Sequence, residues 1–400
     1  MAEQTKQQTG ACWGWVIKMM SKKPIRLGMV GGGNDAFIGA VHRVAARVDG
    51  EYELIAGALS STPEKARASG AALGLAADRT YDDFKSMAIR EAKLKEGIEA
   101  VAIVTPNHMH APVAREFLRR GIHVICDKPL TSTLADARKL VKVAEASDAL
   151  FVLTHNYTGY PMIRQARDMI TSGTLGDIRV VQAEYPQDWL TEAEEVNANK
   201  QAEWRTDPAR SGAGGCIGDI GTHAFNLLSF VTGLDAESLS ADLQSFVSGR
   251  QLDDNAHVML RFKGGARGML WSSQVAPGNE NALKIRVYGS KGGLEWAQED
   301  PNYLWYTPFG EPKRLLTRGG AGATPSANRM TRTPGGHPEG YLEAFANIYT
   351  EAAAAIRSYV AGEPIPSDVQ FPTIQDGLRG VQFIDACVKS SQRNAAWVVV

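Results

Sequence analysis

The stretch Ile25-Arg26-Leu27-Gly28-Met29-Val30-Gly31-Gly32-Gly33 decides the fold. Ile25–Val30 reads as a buried strand, and it runs straight into three glycines. Gly31 and Gly33 can adopt φ > 0 and let a pyrophosphate approach the backbone. Ala36–Val48 follows as a helix, with Ile38, Val41, Val44, Ala45 and Val48 at helical spacing. The first turn of such a helix offers N–H groups and a positive dipole end to an anion. Strand, glycine turn and helix in this order predict the first unit of a dinucleotide-binding sheet. The spacing departs from G-x-G-x-x-G, because position 36 is Ala and the next glycine is Gly39. The turn therefore holds extra residues.

Outward from that unit, strand and helix alternate. Tyr52–Leu59 is a strand, and Thr62–Gly70 a helix with Pro63 in its first turn. Ala100–Thr105 is a buried strand stopped by Pro106-Asn107. Ala111–Arg120 is a helix closed by Gly121, Ile122–Cys126 a strand and Leu134–Ala146 a helix. This predicts an α/β Rossmann domain, a doubly wound parallel sheet, over residues 24–150. From residue 151 the pattern changes. Ile178–Tyr185, His257–Phe262, Arg267–Gln274, Lys284–Gly289 and Gly293–Glu295 read as strands, with Gly264-Gly265 a hairpin signal. Arg318–Pro338 reads as a long loop, and Glu339–Ala361 and Thr373–Ser391 as helices. Residues 151–400 are thus expected to form an α+β domain with a large open, mostly antiparallel sheet. Residues 1–23 are expected to be a disordered extension, with Met20 the natural first residue.

The bulk numbers narrow the function. A chain of 400 residues is too long for one ordinary core. A net charge of −1 with no block of one sign excludes the basic footprint of nucleic-acid or membrane-surface binding. Cys12, Cys126, Cys216 and Cys387 are scattered, with no C-x-x-C pair and no metal-ligand spacing. No metal site, a reducing compartment and a cytoplasmic location are expected.

Two later segments carry chemistry. His123-Val124-Ile125-Cys126-Asp127-Lys128-Pro129 puts a lysine at the carboxyl end of a strand. Gly218-Asp219-Ile220-Gly221-Thr222-His223 puts a carboxylate and an imidazole at i and i+4, on one face if helical. Lys, Asp and His beside a dinucleotide site form a proton-transfer set for hydride transfer between a nicotinamide and an alcohol. His223 would act as base when neutral, so oxidation would rise with pH through its ionisation, which Asp219 would shift toward the protonated form. Thr105-Pro106-Asn107-His108-Met109-His110 borders the ligand crevice, and its histidines read as loop or cap residues rather than metal ligands. The second strand ends in Gly57-Ala58-Leu59-Ser60-Ser61, without the acid that binds an NAD ribose. With Lys65 nearby, NAD or NADP is allowed, with a slight lean to NADP.

The order of glycine turn, T-P-N-x-x-H, D-K-P and G-D-I-G-T-H resembles the glucose–fructose oxidoreductase / inositol dehydrogenase (Gfo/Idh/MocA) family, from about Lys22 onward. The resemblance implies a Rossmann domain, a second domain whose sheet carries substrate and subunit contacts, and oxidation or reduction of one secondary hydroxyl of a sugar or cyclitol. It puts the catalytic set on Lys128, Asp219 and His223. The expected cofactor contacts are Gly31, Gly33, Phe37, Ile38, Ser60, Ser61, Lys65, Thr105, Pro106, Asn107, His110, Asp127, Lys128 and Asn156. His155-Asn156-Tyr157, Gln187-Asp188-Trp189 and Trp204-Arg205 are similar to the levoglucosan and inositol dehydrogenase branch. Tyr157, Gln187, Trp189, Arg205, Asp219, His223 and His337 are the candidate substrate contacts. A glycosidase that recycles bound NAD and a non-catalytic NAD(P)-binding sensor remain alternatives on the same fold. Val258, Leu260 and Phe262 set against Met269, Leu270 and Trp271 suggest apolar residues on more than one sheet face, hence a homodimer or homotetramer.

Overall fold

In the computed structural model, residues 23–34, 36–197 and 199–400 are described. The expected N-terminal extension lies outside them, apart from Lys23. The described strands form two sheets. The first comprises β1 (Ile25–Gly31), β2 (Tyr52–Ala58), β3 (Ala100–Val104), β4 (His123–Cys126) and β5 (Phe151–Leu153), all parallel, in the order β2-β1-β3-β4-β5. Every residue of β3 and β4 is buried. Helices cover both faces of such a sheet, which is why these strands read as continuous apolar runs. The strand order reverses between β1 and β3, and the crevice outside their carboxyl ends is where this fold takes its ligands.

The glycine turn differs in detail from the expectation. Positive φ falls on Gly31 (80°) and Gly32 (73°), not on Gly33. A Cβ on Gly39 would sit 2.4 Å from Gly32 Cα. Gly39 therefore allows the helix Phe37–Val48 to pack against the turn, despite the longer spacing. The helix expected to begin at Ala111 begins at Asn107, immediately after Pro106. This puts His110 inside a helix rather than in a loop.

The second sheet comprises β6 (Ile178–Pro186), β7 (Ala236–Gln244), β8 (Asn255–Phe262), β9 (Arg267–Ser273), β10 (Lys284–Gly289), β11 (Gly292–Ala297), β12 (Tyr303–Pro308), β13 (Arg314–Thr317) and β14 (Val398–Val399). Their order is β13-β12-β11-β10-β6-β9-β8-β7-β14, and β6 pairs with β9 in parallel while the other pairs are antiparallel. One face is buried: Val181, Val258, Leu260, Phe262, Leu270, Ile285 and Trp296 pack with Ile163, Phe225, Leu228 and Phe383 from the helices. On the other face Met259 and Met269 are half exposed, and Val180, Tyr288, Trp305 and Leu315 are also open to solvent.

The long helix Tyr341–Val360 returns to the first sheet. Phe345, Ile348, Tyr349, Ala352 and Ile356 join Leu27, Met29, Ala102 and Ile125 in one core. The helix thereby brings Gly340, Tyr341 and Phe345 to the edge of the crevice.

Candidate active site

A cavity of about 1070 Å³ lies between the carboxyl edge of the parallel sheet and the second sheet. A second cavity, about 850 Å³, lies over the glycine turn. The two share Ala36, Val104, Thr105 and Pro106 in their walls, so they form one continuous trough.

Lys128 reaches into the larger cavity from the end of β4. Asp127 Oδ1 accepts the Lys128 backbone N–H (2.8 Å) and the Thr154 hydroxyl (3.2 Å), which fixes the strand end. The Lys128–Pro129 peptide is cis. Lys128 Nζ donates to the Asp219 carbonyl at 2.6 Å and to Asp219 Oδ1 at 2.8 Å. Asp219 Oδ2 accepts from Arg205 Nε (3.2 Å) and Gln274 Nε2 (3.0 Å). Burial alone would raise the Asp219 pKa, but Lys128 and Arg205 prevail and hold the carboxyl well below its ordinary range.

Asp219 does not sit on a regular helix. Ile217–Gly221 forms a π turn leading into the helix Thr222–Thr232. Such turns recur at functional sites because they re-aim side chains. Here Asp219 turns to the two cations, while His223, four residues on, packs among rings. Tyr157 meets its ring edge-on at 4.8 Å between centroids, and His155 at 5.4 Å. Burial, then the charge of Lys128, then His155 push the His223 pKa well below 6.5, against the opposing pull of Asp219. Asp219 favours the protonated imidazole, as expected, but burial, Lys128 and His155 outweigh it, and its carboxylate is itself committed to Lys128, Arg205 and Gln274.

The wall opposite the parallel sheet is built of amides and aromatics. Tyr157 and Tyr185 share a 2.5 Å hydroxyl contact, and Tyr185 donates to Asn281 Oδ1 at 2.7 Å. Asn281 Oδ1 also accepts from Gln187 (2.7 Å), and Asn281 Nδ2 donates to Gln298 Oε1 (2.8 Å). Gln187 Oε1 accepts the Trp189 indole N–H at 3.0 Å, and Gln298 donates to Tyr160 at 3.1 Å. The Arg205 guanidinium lies 4.3 Å from the Trp204 ring centroid. Asn281, Gln298, Tyr185 and Gln274 carried no signal in the sequence. They are single polar or aromatic residues brought together only by the sheet.

Of the candidate residues, Phe37, Ile38, Thr105, Pro106, Asn107, Asp127, Lys128, Asn156, Tyr157, Gln187, Trp189, Arg205, Asp219 and His223 line the larger cavity. Gly31, Gly33, Ser60, Ser61 and Lys65 line the second, together with Thr105 and Pro106. His110 lies behind the wall, its ring nitrogens 2.7 Å from the Pro129 carbonyl and 2.9 Å from that of Thr105. His337 is not brought to the site. It is exposed, its ring contacts Pro334 of its own loop, and its carbonyl accepts from Arg318. The buried Arg318–Glu339 pair anchors this loop at the end of β13.

The residues present fit a dinucleotide. Thr105 Oγ1, Asn156 Nδ2 and His223 Nδ1 are buried polar atoms without a hydrogen-bond partner, and all three residues line the trough. Buried polar atoms are seldom left so, except where a ligand meets them. The second cavity also holds Asp82 and Asp83, acids contributed from outside β2. Asp82 pairs with Arg67 at 2.8 Å, and Asp83 caps the helix Phe84–Glu91.

Comparison with known proteins agrees with the two-sheet fold. Residues 25–155 match an oxidoreductase family with an NAD-binding Rossmann fold, and residues 163–295 match the GFO/IDH/MocA C-terminal domain. A crystal structure of an oxidoreductase from Sinorhizobium meliloti is 66% identical, with TM-score 0.86, covering 94% of this chain and 100% of that one. An inositol dehydrogenase homolog from Azotobacter vinelandii, complexed with NADH and myo-inositol, is 36% identical, with TM-score 0.89, covering 96% and 99%. Levoglucosan dehydrogenase from Pseudarthrobacter phenanthrenivorans is 26% identical over 298 residues, 69% of this chain and 74% of its own. The chain belongs to the Gfo/Idh/MocA oxidoreductase family, with an NAD-binding Rossmann sheet and a large, mostly antiparallel second sheet.

Proposed function

We propose that this protein is an NAD(P)-dependent dehydrogenase acting on a secondary hydroxyl of an uncharged sugar, sugar derivative or cyclitol. The observation that carries the reading is the Lys128–Asp219–His223 set at the junction of the dinucleotide trough and a wall of amides and aromatic rings. Such a wall suits a polyhydroxylated ring, with amides for the hydroxyls and ring faces for the C–H surfaces. The charges favour an uncharged substrate. Lys128 and Arg205 are both bound to Asp219, and Asp127, Glu280 and Glu299 add further carboxylates to the wall. A phosphate or carboxylate would find no uncommitted cation among them. The related inositol dehydrogenase homolog was crystallised with NADH and myo-inositol, which supports the same class.

Bound nicotinamide dinucleotide supplies the hydride acceptor. The trough residues from Gly31 to Lys65 would hold its phosphates and adenosine end, and Thr105, Pro106 and Asn156 its nicotinamide end. His223, neutral at ordinary pH, takes the hydroxyl proton as the carbon–oxygen double bond forms. Lys128 steadies the negative charge developing on that oxygen. Asp219 holds the ammonium in place. Tyr157 is a poorer base, because burial raises its pKa and its hydroxyl is engaged by Tyr185. At the adenosine end, Ser61 and Lys65 are the groups that would admit a 2′-phosphate, so NADP is used as well as NAD.

The test is a cofactor-reduction screen over cyclitols, aldoses and anhydrosugars, with aldonic acids and sugar phosphates as contrast. Steady NAD(P)H formation with an uncharged polyol is expected. Glycoside cleavage without net NADH, or cofactor binding with no turnover across the panel, would overturn the reading.

A further inference from the structure

Asp253 precedes β8 and lines neither cavity, yet it grips the chain just ahead of Asp219. Its Oδ1 accepts the Gly215 N–H at 2.6 Å, and its Oδ2 accepts the Ile217 N–H at 2.8 Å. Oδ2 also accepts the Cys216 thiol at 3.1 Å, and the Asp253 carbonyl accepts the Cys216 N–H at 2.8 Å. A Cβ on Gly215 would lie 2.0 Å from that carbonyl oxygen, so glycine is required for the approach. One residue thus holds Gly215, Cys216 and Ile217 in succession, where the π turn begins. The next residue serves the same carboxylate from the other side. The Asp254 carbonyl accepts the Gln274 N–H at 2.8 Å, and the Gln274 side chain donates to Asp219 Oδ2.

We infer that Asp253 is a positioning residue for the reaction: its carboxylate sets the register of the π turn that delivers Asp219 to Lys128. Among the described residues its side chain meets backbone N–H groups and a thiol rather than a cation. Holding a partly buried carboxylate on neutral donors alone is costly. The return is a turn that starts in one register, with the N–H groups of its first residues satisfied. The Asp219 carbonyl and Oδ1 then meet one ammonium together. A slip of the turn would move both acceptors off Lys128 and leave the ammonium free to move.

The inference rests on the dehydrogenase reading for its kinetic test, and it has a structural test that does not. Asp253→Asn places an amide N–H against the N–H of either Gly215 or Ile217. With an uncharged polyol that the wild type oxidises, kcat should fall about tenfold or more, while KM and the NADH dissociation constant stay within about threefold. A crystal structure of D253N should show Lys128 Nζ withdrawn from the Asp219 carbonyl. Wild-type kcat, or unchanged Lys128–Asp219 contacts in that structure, would overturn the role. If D253N does not fold, Cys216→Ala decides: it keeps the carboxylate and removes one contact to the same turn. A kcat loss of about threefold at constant KM supports the role, and wild-type kcat refutes it. If the wild type reduces no cofactor with any polyol, the functional reading fails, and the crystal structure of D253N alone decides the positioning role.

Discussion

His223 is held neutral by its surroundings, and that sets the pH behaviour of the site. Burial, Lys128 and His155 lower its pKa, while Asp219 opposes them. The sign follows directly. A base must be neutral to accept a proton, so oxidation should stay level as pH falls through 6.5 and decline only well below it. Lys128→Met removes a charge that disfavours the imidazolium, so the acid limb of its residual activity should move to higher pH. Its kcat should fall by about 100-fold or more, the scale of losing an electrostatic partner of the reacting oxygen. An acid limb that stays in place would separate Lys128 from His223. His223→Ala should nearly abolish oxidation, and His223→Gln should not restore it, because an amide cannot carry the proton. Cofactor choice belongs to the same scale. NAD and NADP should differ in kcat/KM by less than about 100-fold, near 2.7 kcal/mol. A larger preference for NAD would mean that Ser60, Ser61 and Asp82 serve a bare ribose. The strand-end lysine and the Asp–His spacing were legible in the sequence. The commitment of Asp219 to Arg205 and Gln274 was not, since nothing in the spacing of residues 205, 219 and 274 brings them together.

The helix Phe37–Val48 depends on Gly39 as the strand β1 depends on its glycine turn. Gly39→Ala would put a methyl group 2.4 Å from Gly32 Cα, where only backbone can yield. Overpacking of this kind costs about 1–3 kcal/mol, and here it would also displace the first turn that faces the trough. Urea unfolding should show the loss, and NADH titration by fluorescence should show weaker binding. Unaltered NADH affinity would mean that the helix does not shape the cofactor site. The parallel sheet was legible because β3 and β4 are buried throughout and read as unbroken apolar runs. The strands β7, β12, β13 and β14 were not. In β7, Ala236–Gln244, only Leu239 and Ala241 are buried, and the polar residues between them hide a strand near the sheet edge. The π turn was also hidden. Gly218-Asp219-Ile220-Gly221 carries no mark that separates it from an α-helical turn, and its register comes from Asp253, more than thirty residues away.

For the whole molecule, the open face of the second sheet and the buried histidines set the expected behaviour in solution. Met259, Met269, Val180, Tyr288, Trp305 and Leu315 leave an apolar surface exposed on that face. Such a surface is best covered by a second copy of the chain, so we expect a homodimer or homotetramer, with Met269→Lys weakening it. A monomer mass by light scattering at micromolar concentration would refute this. Acid should destabilise the fold before it affects the carboxylates. Burial lowers the pKa of His42 and His123 to about 4 and of His155 to about 3, and it lowers His110 and His223 as well. All five groups bind protons more readily in the unfolded chain, near pH 6.5. Their contribution to stability is therefore complete above pH 6.5 and is lost as pH falls below it. Each such histidine costs up to about 1.4 kcal/mol per pH unit in that window. Asp219, whose folded pKa is depressed, adds a second loss only below about pH 4. The urea midpoint should thus decline steadily from pH 6.5 to pH 5. His123→Gln tests the cause. His123 accepts the Leu150 N–H at 3.0 Å, a bond that the amide oxygen of glutamine can take over. The variant should fold, and its stability should fall with pH less steeply, by about one proton. An unchanged slope would place the acid sensitivity elsewhere.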